Sequence, residues 1–338
     1  MSPYLVSARY DWAFFLAPPV LALVLGVALA GTPATAELAA LGDSPAGLGL
    51  AILIHAHLVA VVFRSHTNPT IFERHRVRFV VVPLVLFVAL VASDWIALAA
   101  TVVATFWDVW HSGAQTFGFA RIYDRNAGVP AERDRKLDFA MSQLLYVGPV
   151  IAGATLVDHL AELELFADYA DPFSQALAHV PAETLARRPI LAVAIGLAIA
   201  IVVTVYLGVA WSRHRRGEPV SALKLWLVLS TGACSIVAWG FNTWGEAFFV
   251  MNLFHAVQYL ALVWWSERDR IVGRLHLTGA RIGRAVALAL FLGSTLAYGA
   301  AAELFEPDLR AMWSVTMVVS LMHFWYDAFI WSVRRQEV

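Results

Sequence analysis

Residues Leu53 to Phe79 read LIHAHLVAVVFRSHTNPTIFERHRVRF. The stretch opens as bilayer-grade apolar sequence, turns polar at Arg64, and holds four histidines: His55, His57, His66 and His75. Its apolar half is typical of the chain. Of 338 residues, 60% are hydrophobic and 14% charged, with a mean hydropathy of +0.67. Soluble domains average about 45–50% apolar and about 25% charged. The composition therefore predicts an all-α, polytopic membrane bundle, a single integral membrane domain over 1–338. The net charge of −1 gives no reason to expect nucleic acid as a partner. A single cysteine, Cys234, excludes a disulfide framework within the chain and a CxxC metal site.

A helix needs about 20 apolar residues to cross the hydrocarbon core. Ten runs meet that need: 12–31, 47–64, 78–93, 95–120, 137–156, 190–211, 222–241, 247–266, 285–303 and 312–333. With the N-terminus inside, 21 of the 24 Lys and Arg residues fall in inner segments, and only Arg187, Arg188 and Arg310 fall outside. That asymmetry predicts about ten spans in a cell's inner (cytoplasmic) membrane, with both termini cytoplasmic. MSPYLVSARYDW lacks a signal-peptide n-region and cleavage site, so the first apolar run is expected to stay as a helix. The longest outer segment, 157–189, is acidic and mixed. It is expected to lie as short amphipathic helices on the outer face, with His159 and His179 solvated.

Ionisable residues inside a membrane are expensive and mark function. Here they fall in the even-numbered spans, which all run from outside to inside. The second span carries His55 and His57, and the fourth Asp108, His111 and Gln115. The eighth carries Asn252, His255 and Gln258, and the tenth His323 and Asp327. At 1.5 Å per residue, His57, His111, His255 and His323 lie roughly 10–20 Å from the inner exit of each helix. The odd-numbered spans hold no histidine. Within helices, Asp108–His111 and His255–Gln258 are i, i+3, and His111–Gln115 and His323–Asp327 are i, i+4, so each pair shares a face. His55 and His57 point about 200° apart, and His57 is the one at the common depth. His66 and His75 sit in the following loop, where they either close the site from below or bind lipid phosphates. His214 and His276, among arginines in inner loops, read as interfacial.

The candidate metal ligands are thus His55, His57, His66, His75, His111, His255 and His323, with Asp108 and Asp327. The candidate catalytic groups are Asp108, Asp327, Gln115 and Gln258. Imidazole with carboxylate suits Fe, Zn, Cu or Mn. Five to seven histidines with carboxylates fit two metals, and two irons is the leading expectation. A metal site in a greasy aromatic cavity flanked by Trp107, Trp110, Trp264, Trp265, Trp325 and Trp331 suits O₂-dependent oxidation of a lipidic, apolar small molecule. Electrons would come from a cytoplasmic donor, since the chain shows no redox domain of its own. Membrane lipids are the other expected partner. The alternative from a different class is a carrier of haem, ions or protons built on the same residues.

The segments HAH, RSHTNPTIFERH, DVWH, FHAVQ and HFWYD resemble, as a chemical class, the histidine-rich integral-membrane non-haem iron enzymes: fatty acid desaturases, alkane hydroxylases and sterol oxidases. That resemblance implies an oxygenase or desaturase. Those families use tight HxxxH, HxxHH or HxxxHH boxes and four to six spans, so no residue role carries over motif by motif. Single histidines dispersed over several helices also resemble the bacterial carotene-cleaving membrane dioxygenases, which implies one iron and oxidative cleavage.

Overall fold

The computed structural model describes residues 2–40, 44–153, 155–277, 281–305 and 309–331. Among these there is no β-strand. The first helices are α1 (Ala8–Asp11), α2 (Pro18–Leu29), α3 (Pro33–Ala39), α4 (Pro45–Val59) and α5 (Val61–Ser65). The middle of the chain forms α6 (Pro69–Ala92), α7 (Asp94–Asn126), α8 (Arg135–Ala152), α9 (Leu156–Leu160) and α10 (Pro172–Ala178). The last are α11 (Val180–Arg215), α12 (Ala222–Phe241), α13 (Trp244–Arg274), α14 (Ile282–Phe305) and α15 (Arg310–Ile330). A π-helix at Trp12–Leu16 links α1 to α2, and a 3₁₀ helix at Ala161–Asp168 follows α9.

Six helical segments are long and apolar enough to cross a bilayer: Pro45–Ser65, Pro69–Ala92, Pro172–Arg215, Ala222–Phe241, Trp244–Arg274 and Ile282–Phe305. Two bent pairs raise the number to eight if each is one span. They are Ala8–Leu16 with Pro18–Leu29, bent by 41°, and Arg135–Ala152 with Leu156–Asp168, bent by 93°. The sequence led us to expect ten. The two remaining helices, α7 and α15, are 33 and 21 residues long. They fall short in apolarity because Asp108, His111 and Gln115 interrupt one and His323 and Asp327 the other. Membrane character also shows on the surface. α6 exposes Val77, Val81, Leu84, Val85 and Val88 along one face, and α11 exposes Ile190, Val193, Leu197 and Ile201. Continuous apolar stripes of this kind are rare on water-facing surfaces and match hydrocarbon.

Several starts are written locally. Ser44 accepts from Gly47 N (2.9 Å) and Pro45 opens α4; Asn68 accepts from Ile71 N (3.4 Å) and Pro69 opens α6. A capping oxygen satisfies an orphan N–H, and proline has none to lose at the first position. The Asn68-Pro69 start changes one expectation. Residues 69–77, read as loop, are the first turns of α6, so His75 lies on a helix, at a local break (φ −123°, ψ 20°). The segment 157–189 also differs from expectation. Its last ten residues belong to the 36-residue α11, which runs through Pro189, and His159 is buried, its Nδ1 donating to the Thr155 carbonyl (2.8 Å). His179, His214 and His276 are exposed.

Internal contacts divide the chain into two compact units. The first comprises Met1–Thr35 and Thr105–Met251; the second comprises Ala36–Ala104 and Asn252–Val338. In the first unit, Ala120, Met141, Leu145, Tyr206 and Val228 form an apolar core. Beside it lies a buried ionic network. Arg121 Nη1 donates to Asp124 (2.6 Å) and to Asp138. Lys224 Nζ donates to the same two carboxylates (2.9 and 3.0 Å), and the Tyr206 hydroxyl donates to Asp138 (3.0 Å). Arg121 and Lys224, counted from the sequence among the inner-segment charges, are 5% and 7% exposed. In the second unit, α14 lies against α4 so closely at Gly299 that a Cβ there would sit 2.2 Å from the Ile52 carbonyl oxygen. Only glycine permits that approach.

Candidate metal centre

Three helices of the second unit each contribute one imidazole to a common point. His57 comes from the last turn of α4, His255 from α13 and His323 from α15. One nitrogen from each lies within 4.8 Å of the others, and the three side chains are 1%, 2% and 0% exposed. The His57 ring stands edge-on to both partners, with centroids 5.1 Å from His255 and 5.2 Å from His323.

Backbone geometry sets the tautomer of one member. α4 stops at Val59 and α5 restarts at Val61, so Leu58 sits in a terminal turn whose carbonyls look beyond the helix for donors. The Leu58 carbonyl faces His323 Nδ1 at 3.2 Å. A carbonyl only accepts, so Nδ1 carries the proton and Nε2 keeps its lone pair. An outer hydrogen bond of this kind is how metal-binding histidines are oriented.

A carboxylate lies beside the triad. Asp327 is one turn beyond His323 on α15, its Oδ2 3.9 Å from His323 Nε2. Its Oδ1 accepts from the Tyr259 hydroxyl (2.8 Å) and from Trp331 Nε1 (2.9 Å). Tyr259 is in turn one turn beyond His255 on α13, and its ring packs 4.4 Å from that of His323. The sequence reading missed Tyr259 and took Trp331 as cavity wall or packing; the i, i+4 step from His255 was the signal for the tyrosine. Behind them, Arg64 covers the Trp331 ring at 4.0 Å, pairs with buried Glu267 at 2.8 Å and donates to the Ile330 carbonyl. Arg64, expected to mark the exit of the second span, is 3% exposed.

His55, His66 and His75 are engaged outside the triad. His55 points away from His57 and pairs through Nε2 with Glu303 of α14 at 3.0 Å. His66 places Nε2 3.2 Å from the Phe79 carbonyl and Nδ1 2.8 Å from Ser65 Oγ. His75 packs on Phe329 (4.6 Å) and Phe79 (5.8 Å). These three do not enter the converging group. Gln258 is buried on α13, three residues after His255. Asp108, His111 and Gln115 share a face of α7 in the first unit, with His111 buried and the other two half-buried.

Three imidazoles suit Fe, Zn, Cu or Ni. Three protein ligands, rather than four, are the arrangement of sites that keep a position open for water or substrate. No protein-family model matches this chain, and no curated protein or solved structure matches it. The functional reading therefore rests on the chemistry of the residues.

Proposed function

We propose that the chain is a membrane-embedded, non-haem metal-dependent oxidoreductase that uses O₂ to oxidise a lipid-soluble substrate. The observation that carries this reading is the convergence of His57, His255 and His323 within 4.8 Å inside a unit of membrane-grade helices. Water-soluble substrates have no reason to meet a metal there. An apolar molecule partitions into that environment without desolvation cost. The triad supports one ion, with iron first among the candidates. The pair of irons expected from the histidine count would need further ligands, and His55, His66 and His75 are engaged elsewhere. Hydroxylation, desaturation and oxidative cleavage all fit an open-sided centre of this kind, and reduction would draw on a cytoplasmic donor. On this reading α7 and α15 also cross the bilayer, giving ten spans with both termini on the cytoplasmic side of the inner membrane. Their polar faces then turn inward, as intramembrane charges require.

Metal analysis of protein purified in detergent tests the proposal. The expected result is about one non-haem metal per chain and no Soret band. Loss of that metal is expected on Ala substitution at His57, His255 or His323, and retention at His179, His214 or His276. Protein that binds none of Fe²⁺, Mn²⁺, Zn²⁺ or Cu²⁺ on reconstitution would overturn it, as would equal loss from both sets of variants.

A further inference from the structure

We propose that Tyr259 is a redox-active residue that supplies an electron to the His57–His255–His323 centre while its phenolic proton passes to Asp327. The inference rests on reading the triad as a metal centre, and it deepens that reading. A single ion would have to carry an O₂ reduction that needs more electrons than the substrate and the ion together supply. The cytoplasmic donor delivers from outside the membrane, so a second redox group beside the ion is of use. Tyr259 is placed for that part. Its ring lies 4.4 Å from that of His323 and 6.1 Å from that of His57, and the side chain is 1% exposed.

A phenol that loses an electron becomes a strong acid. It is therefore oxidised readily only where a base takes the proton as the electron leaves. Among the described residues, three buried tyrosine hydroxyls donate to a carboxylate: Tyr123 to Asp11 (3.1 Å), Tyr206 to Asp138 (3.0 Å) and Tyr259 to Asp327 (2.8 Å). The acceptors differ. Asp11 also takes the N–H groups of Leu5, Val6 and Ser7, and Asp138 takes the cations Arg121 and Lys224. Partners of that kind stabilise the anion and make it a poor base. At Asp327 the second donor to Oδ1 is the neutral indole of Trp331 (2.9 Å). Asp327 also stands beside the triad and not in it. Its Oδ2 is 3.9 Å from His323 Nε2, and the three-nitrogen group closes without it. Helix spacing sets this layout: α13 presents His255 and then Tyr259, and α15 presents His323 and then Asp327, each one turn apart. In the step, the Tyr259 O–H bond breaks and the proton joins Asp327 Oδ1. The electron passes to the one-electron oxidant at the triad, the metal ion after it has met O₂. An electron from the cytoplasmic donor and the proton held on Asp327 then restore the phenol.

Electron paramagnetic resonance of the full chain in detergent reads the radical directly. Protein loaded with Fe²⁺, mixed with hydrogen peroxide and freeze-quenched should show a tyrosyl signal. Tyr259→Phe should abolish that signal, whereas Tyr123→Phe and Tyr206→Phe should keep it. Asp327→Asn keeps the volume but removes the base, and should slow radical formation by at least about 100-fold. A ring-fluorinated tyrosine built in at position 259 keeps the ring and the hydroxyl and should add fluorine splitting to the signal. That substitution decides the matter if Tyr259→Phe does not fold. Iron content measured on the same samples separates the two readings. Wild-type protein that takes up no iron would overturn the metal centre and this inference with it. Iron-loaded wild type without a tyrosyl signal would overturn Tyr259 alone and leave the triad standing. So would a signal unchanged by Tyr259→Phe or by the fluorinated ring, or an iron-loaded Asp327→Asn that forms the radical at the wild-type rate.

Discussion

The first unit buries two cations, Arg121 and Lys224, against two anions, Asp124 and Asp138, with hydrogen bonds crossing between every opposite pair. The second unit brings together three groups of one kind, the imidazoles of His57, His255 and His323. Both sets cost desolvation. In the first the cost is offset by mutual attraction, and the four charges sum to zero. In the second no member carries a charge opposite to another, so the set gains most from something it can ligate. Cancelling polar groups act as a fastener, drawing α7, α8 and α12 together, whereas on the proposed function converging like groups act as a receptor. Burial alone would not separate the two, because both sets are nearly inaccessible; complementarity within the set does.

Substitutions should divide along the same line. The largest effect is expected from His255→Ala, which should lower bound metal from about one per chain to near zero while Asp138→Ala leaves stoichiometry unchanged, both read by elemental analysis. If the two variants lose metal equally, the distinction fails. Next in size, Asp138→Ala or Lys224→Met strands an unpaired buried charge and should cost about 3–5 kcal/mol in detergent-based unfolding. Combining Lys224→Met with Asp138→Leu should recover part of that loss, since a buried pair is often replaceable by apolar packing. A smaller loss, about 1–3 kcal/mol, is expected from Gly299→Ala, because the added methyl meets the α4 backbone. Thermal melts of wild type and variant measure it.

The smallest expected effect concerns pH. Burial holds the His66 imidazole below its ordinary value of 6.5, although the Phe79 carbonyl pulls the other way. His66 lies between the spans Pro45–Ser65 and Pro69–Ala92. Its proton is bound more readily in the unfolded chain, so its contribution is fully present above pH 6.5 and is lost as pH falls toward its folded value. Stability should therefore decline on mild acidification, and His66→Asn should flatten that slope in melts between pH 7.5 and 5.5. A steeper slope in the variant would remove His66 from the account.

Much of the second unit is legible in the sequence. Long apolar runs announce helices, and His57, His255 and His323 stand out because imidazole is so expensive in such runs. What stays hidden has physical reasons. The interruption at Ala60, which turns the Leu58 carbonyl toward His323, sits in an unbroken apolar string with no Pro or Gly to mark it. Tyr259 is spelled like any packing aromatic until its hydroxyl is seen on Asp327. Arg121 and Lys224 lie near helix ends, where a charge buried against distant carboxylates and a charge in water look alike in one dimension. His159 and its Thr155 contact are masked in the same way, by an acidic neighbourhood that suggests exposure.

The approach of α14 to α4 has a consequence for how this protein can be altered. Ile52 and Ala56, whose backbone Gly299 touches, precede His57 by five residues and one. The side chain at position 299 therefore sets the spacing of a surface on which the imidazole is mounted, without meeting the imidazole itself. A methyl added there would press on the Ile52 carbonyl and displace the turn of α4 that carries His57, so position 299 acts on that imidazole from behind the helix.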